Sequence, residues 1–294
     1  MPANRQKMTV RQPSFREPSA RAHFTWHGAQ AACAWRKERS QYHLILLLAF
    51  SLLLLCSLTS HAASLPDFAA RARKAYLEAR DKHLESPKNV QLAWRFGCAC
   101  FDVADFSTNN SERGDFAEQG IAACNAAIVA DRNSAAAHYY LGMNLGQLAQ
   151  TRGVSALKLV DQMEAEFKLA RQLDEKLDFG GPDRNLGLLY RDAPSWISVG
   201  SRGRATKHLL RAAELAPDYP ENPLNLLESY VKWSDRNGIK RQLKTVEDLW
   251  PLARKQLTGI QWELSWTNWD DRLQQVKKKI NEPSRTIESP RARD

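Results

Sequence analysis

Four short signatures recur along this chain: Phe96-Gly97…Cys100, Leu141-Gly142…Leu145, Leu186-Gly187…Tyr190 and Leu226-Leu227…Tyr230, at intervals of 45, 45 and 40 residues. A fixed period of this length marks a stacked array in which each unit is one supersecondary element. Each signature is followed by a second set of small and large positions: Gly120, Cys124, Ala127; Met163, Phe167, Ala170; Ala205, Leu209, Ala212; Val246, Trp250, Ala253. These sit at i, i+4 and i+7, one face of a helix. Between positions 66 and 280, helix-length amphipathic stretches alternate with short Gly, Pro, Asn and Asp breaks, without alternating β-branched runs. The chain therefore reads as all-α, with paired helices whose small residues admit close approach and whose large ones fill the facing gap.

This arrangement resembles the tetratricopeptide repeat, a family with a large–small pair and an aromatic on its first helix, small–large–small on its second, and a Pro after it. Leu215-Ala216-Pro217-Asp218 matches that ending, while Asp131-Arg132-Asn133 and Leu173-Asp174-Glu175 match it without the Pro. The departure lies between the two helices of each unit. Asn109-Asn110-Ser111, Gln150-Thr151-Arg152-Gly153, residues 193–201 and residues 235–238 stretch these connections, lengthening helices or forming loops on one edge. The resemblance implies a helix-turn-helix repeat solenoid over 64–280, with about four repeats. Trp262, Trp266 and Trp269, at i, i+4 and i+7, read as a C-terminal capping helix over the last repeat.

A narrower resemblance rests on Gly187-Leu188-Leu189-Tyr190-Arg191-Asp192-Ala193-Pro194, the Gly200-Ser201 loop, Ala205, Ala212 and the stretch from Pro217 to Tyr230. Over roughly 120–260, these are similar to the T-component of tripartite ATP-independent periplasmic transporters. That likeness implies docking to a protein partner such as a periplasmic solute-binding protein, and passage of a hydrophobic ligand. A homo-oligomer is compatible with it.

Leu44 to Leu58 is an uncharged, Leu-rich run, preceded by Arg36, Lys37 and Arg39 and followed by Ser60-His61-Ala62. It has the length of a signal-peptide core and is short for a membrane span. The expected location is periplasmic or exported, with cleavage near Ala62. The alternative is an anchor through 44–63, and membrane contact is expected only in that case. Residues 1–43 form a basic leader, and 281–294 a disordered tail. The formal charge of +9 is concentrated there: 1–43 carry about +6 and 272–294 about +4, leaving 64–271 near −1. A neutral body lacks the basic patch that exchanges for counterions on phosphate, so no nucleic-acid partner is expected.

Registering the repeats on a concave surface lined by the first helices selects Gln91, Trp94, Cys98 and Phe101, then Tyr139 and Met143, then Arg184, Leu188 and Arg191, then Glu221, Leu224 and Glu228. Its amino-terminal half is aromatic and suits a hydrophobic or amphipathic partner. Arg184 and Arg191 either grip a carboxylate ligand or pair with Glu221 and Glu228 across the repeat seam. Cys100 and Cys124 face one another in the register, as a disulfide or as two buried thiols. No cofactor or metal site is expected: Cys98-Ala99-Cys100 lacks zinc or redox spacing. No phosphate loop, zinc-protease motif or nucleophile elbow is present. The chain reads as a binding scaffold rather than an enzyme, and a cell-envelope assembly or secretion adaptor is the competing use of the same architecture.

Overall fold

The computed structural model describes residues 65–282; the leader, the apolar run with its cleavage region and the tail from 283 lie outside them. Ten α-helices and no strand occur among the described residues: α1 (Leu65–Glu85), α2 (Val90–Asp105), α3 (Asn110–Ala130), α4 (Ala135–Gln150), α5 (Leu157–Leu173), α6 (Leu177–Asp192), α7 (Arg202–Leu215), α8 (Glu221–Lys232), α9 (Arg236–Gln256) and α10 (Glu263–Asn281). Short 3-10 turns, Gly153–Ala156 and Ile260–Trp262, precede α5 and α10.

Side-chain caps start five of these ten helices. Asn89, Asn109, Ser134, Ser201 and Asp235 each accept a hydrogen bond from a backbone N–H three residues on, satisfying a donor the first turn leaves free. The stretched connections resolve both ways. Asn110 and Arg236 open 21-residue helices, whereas the segments after Gln150 and Asp192 leave the helix.

Packing follows the recurrence position by position. Consecutive helices pair, α2 with α3, α4 with α5, α6 with α7 and α8 with α9. Inner helices α2, α4, α6, α8 and α10 also contact one another in series, giving a helical-repeat solenoid with an inner layer. At the recurring glycines the paired helices come closest. A Cβ built on Gly97 would lie 2.3 Å from Cys124 Sγ, one on Gly142 2.6 Å from the Phe167 ring, and one on Gly187 2.6 Å from Leu209 Cγ. The companion small positions Ala127, Ala170, Ala212 and Ala253 are all sealed from solvent.

The last repeat is covered as expected. Trp266 and Trp269 are buried with Leu224, Leu227 and Val246 under α10. Trp262 departs from that stripe: it stands in the 3-10 turn ahead of the helix, half-buried. No helix among the described residues is long and apolar enough to cross a membrane.

Candidate functional site

The inner layer carries a series of aromatic rings from α2 to α10. Trp94 of α2 stacks parallel on Tyr140 of α4 at 5.7 Å between centroids, and Tyr140 meets Tyr139 edge-on at 5.1 Å. The Tyr139 hydroxyl donates to Asp178 Oδ2 at 2.6 Å. The next residue, Phe179, stacks on Tyr219 at 4.4 Å, and both rings meet Trp262 at about 6 Å. Two aromatic clusters, Trp94–Tyr140–Tyr139 and Phe179–Tyr219–Trp262, are thus linked end to end through the Tyr139–Asp178 hydrogen bond, and their accessible rings suit an apolar or cationic group.

The middle of this ribbon is held in an uncommon backbone. Asp178, Phe179 and Gly180 all have left-handed dihedrals, φ 48°, 56° and 77°. Each non-glycine residue there costs about 1–2 kcal/mol. The surroundings restrain them from several sides. Arg184 Nη1 donates to the carbonyls of Asp178 (3.0 Å) and Phe179 (3.5 Å), and Nη2 to the Asp178 carboxylate at 2.5 Å. Asn222 Nδ2 reaches the Phe179 carbonyl at 2.9 Å. Gly180 packs on the backbone of Ala212, 3.2 Å from where a Cβ would stand. The turn presents Phe179 to solvent, 41% exposed. Such strain persists where the surroundings over-determine it, and it clusters at sites of recognition.

Electrostatics differ along the layer. Burial works against the Arg184 guanidinium, but Asp178, Tyr139 and Glu221 more than offset it and hold its pKa well above the ordinary value. Burial, then the Asp178 charge, pushes the Tyr139 phenol well up, so it stays a donor. Asp102, open to solvent at its own surface, lies on the inner face near Cys98 (Sγ to Oδ2, 3.9 Å). Desolvation there, with the charges of Asp105 and Asp178, raises its carboxyl to about 7.

The expected site residues separate into three groups. Trp94 and Met143 are half-buried and reach the aromatic neighbourhood, Trp94 through Tyr140 and Met143 packed against the core around Tyr139 and Phe167. Phe101, Leu188, Gln91 and Cys98 are accessible to differing degrees, and no aromatic contact joins Phe101 to the ribbon among the described residues. Tyr139, Arg184 and Leu224 need correcting as groove-facing groups, because they are 1%, 5% and 0% exposed. Tyr139 turns toward Asp178 and α6, and Tyr140, one residue on, takes the groove position. Arg184 cannot grip a carboxylate ligand: it is committed to Asp178 and lies 3.7 Å from Glu221. Arg191 chelates Asp192 and lies 3.8 Å from Glu228, so the seam pairing holds for both arginines.

The disulfide alternative also yields. Cys100 and Cys124 are both buried free thiols, and Cys124 Sγ points to Gly97, one turn before Cys100. Groups missed from sequence include Asn144, fully buried, whose Nδ2 donates to the Gly97 carbonyl at 2.9 Å and the Tyr140 carbonyl at 2.8 Å. The left-handed turn was missed too, although Gly180-Gly181-Pro182 just after a helix signalled a break. Among the described residues, no group of His, Cys, Asp and Glu could hold a metal ion.

The fold and this face define an all-helical repeat protein with an aromatic inner surface. Residues 62–176 match the family model described as Regulator of microtubule dynamics protein 1-3. The match spans α1 to α5 and stops just before α6 and its left-handed turn. No curated protein matches the chain.

Proposed function

We propose that this chain is an exported binding scaffold of tetratricopeptide type that docks a protein partner on its inner face, as the partner-docking component of a periplasmic solute-transport system. The observation that carries the reading is the ribbon from Trp94 to Trp262, with Phe179 held outward at an energetic cost by Arg184 and Asn222. Partly exposed aromatics on a rigid frame are the anchors from which protein interfaces draw most of their energy. Export rests on the run 44–58 and its small-residue cleavage site. Retention of that run as an anchor would turn the same face to cell-envelope assembly or secretion.

The test is site-specific photo-crosslinking in intact cells. A benzophenone amino acid at position 94 or 179 should give one discrete adduct with a soluble solute-binding protein, and at Leu210, on the outer helix α7, none. Equal adducts from both faces, or none from the inner one, would overturn the proposal. The family match favours a second reading in which the partner is a cytoskeletal filament. Adducts with a filament subunit at positions 94 and 179 would select it.

A further inference from the structure

At the opposite end of the inner layer from Trp94, an open cleft of about 410 Å³ lies between the carboxyl-terminal turns of α6 and α8 and the last turns of α10. Its charged walls are Arg191, Asp192, Glu228, Lys232, Arg272 and Lys279, four cations against two anions, with Glu221 behind the wall 3.5 Å from Arg272 Nη1 as a third.

The two carboxylates are already shared. Asp192 receives Arg191 Nε and Nη2 at 2.9 and 2.7 Å and Lys232 Nζ at 2.7 Å. Burial tends to raise the Asp192 pKa, but the Arg191 and Lys232 hydrogen bonds win and hold it below the ordinary value. Glu228 receives Arg272 Nε and Nη2 at 2.8 and 2.7 Å, with Arg191 Nη1 3.8 Å away. Neither acid has charge to spare for a third cation. Lys279 has no hydrogen-bond or ion-pair partner among the described residues, and Lys232 has only a long 3.5 Å contact to the Arg191 carbonyl besides Asp192. An ammonium offers three donors, so most of those on this wall are unspent. Helix dipoles offset part of the surplus, about half a charge per helix end, without filling the cleft.

The floor is apolar, supplied by Val231 and the buried Val276. A cationic wall over an aliphatic floor matches a molecule with an anionic head and a short hydrocarbon body. We propose that this cleft binds a small aliphatic carboxylate, its oxygens on Lys279 and Lys232 and its carbon chain on Val231 and Val276. The cationic site thus lies on α8 and α10 together, away from Arg184. It shares no residue with the aromatic ribbon, so it stands or falls separately from the docking reading.

The test is calorimetric titration of the purified full chain with butyrate, with acetate and inorganic phosphate as comparison ligands, at low and at physiological salt. Saturable one-to-one binding is expected, with butyrate tighter than acetate because of the floor and tighter than phosphate. Affinity should fall with salt because the cleft is open. Lys279→Gln, on an exposed side chain that cannot disturb the fold, should weaken butyrate at least fivefold, and Lys279→Glu should abolish binding. Leu210→Ala, on the outer helix α7, should leave it unchanged. No binding of butyrate, a preference for phosphate, or wild-type affinity in Lys279→Gln would each overturn the proposal.

Discussion

The Tyr139 hydroxyl donates to Asp178 at 2.6 Å while accepting from Asn185 Nδ2 at 3.0 Å, so one buried oxygen ties α4 to the left-handed turn of α6. Removing it leaves Asn185 Nδ2 with the Gly181 carbonyl alone, takes a 3.4 Å contact from Arg184 Nη2, and leaves Asp178 supported mainly by Arg184. Tyr139→Phe keeps the ring and deletes only this link. A cost of about 1–3 kcal/mol is expected, the range for unpairing buried polar groups. Urea denaturation checks it, and an unchanged midpoint would show that the turn is held without Tyr139.

Gly187 tests the repeat packing. In a helix interior, Ala is better than Gly by about 1 kcal/mol, so Gly187→Ala would stabilise an isolated α6. The added methyl, however, would sit 2.6 Å from Leu209 Cγ and 3.1 Å from the Leu209 backbone nitrogen. Overpacking of this kind costs about 1–3 kcal/mol, and a backbone atom cannot swing aside. Net destabilisation is expected. Combining it with Leu209→Ala, which alone should cost about 2–5 kcal/mol, should cost less than the sum of the two, because the cavity accepts the new methyl. Strict additivity in the double-variant cycle would refute the close approach.

Asp102 should make stability fall with rising pH, by less than a fully enclosed carboxyl would, because its side chain is open to solvent. Its folded carboxyl, raised to about 7 by desolvation and by Asp105 and Asp178, holds a proton that the unfolded chain releases near its ordinary value of 3.8. The folded state therefore binds more protons between those values, and stability present below about 4 is lost progressively as pH rises to about 7. Asp102→Asn should flatten this decline and raise the urea midpoint at pH 8 more than at pH 5. A midpoint difference independent of pH would show that Asp102 titrates normally.

The thiols should be inert in the folded chain. Burial pushes Cys100 up to about 12 and Cys124 higher, and Cys98 is raised well above its ordinary value by burial and by Asp102. Alkylation needs the thiolate, so iodoacetamide at pH 7.5 should leave all three unmodified in native protein. After unfolding without reductant, mass spectrometry should find each of them alkylated. Protection of Cys100 and Cys124 after unfolding would restore the disulfide.

What was legible in the sequence was what repeats. Gly97, Gly142 and Gly187 recur with Cys124, Phe167 and Leu209 because each pair is the same contact made again, and a periodic contact leaves a periodic trace. The pairing of Arg191 with Glu228 was legible as one of two alternatives on the same ground. The ribbon's centre was not, since it depends on a break in the pattern. Registering the repeats puts Tyr139 and Arg184 on the open face, whereas the left-handed turn at 178–180 offers them buried partners, the Asp178 carboxylate for both and the Asp178 and Phe179 carbonyls for Arg184, that no periodic pattern encodes. Asn144 was hidden for another reason. Its space exists because Gly120, on a different helix, has no side chain: a Cβ there would lie 2.2 Å from Asn144 Oδ1.

Phe179 separates strain from recognition. Phe179→Gly removes a left-handed cost of about 1–2 kcal/mol, since glycine adopts φ 56° freely. Against this it gives up the stack on Tyr219, about 0.5–1.5 kcal/mol, and adds roughly 0.4–1 kcal/mol of chain entropy to the unfolded state. These terms nearly cancel, so stability should change little. Phe179→Val loses the same stack and keeps the strain, aggravated by β-branching, and should be clearly less stable. Both variants should lose the partner equally, because both lack the ring, even though only one is destabilised. The measurements are urea midpoints for the two variants and partner recovery by crosslinking from position 94. Equal destabilisation by Gly and Val would show that the turn stores no strain, and full recovery of the partner with Phe179→Gly would remove Phe179 from the docking face.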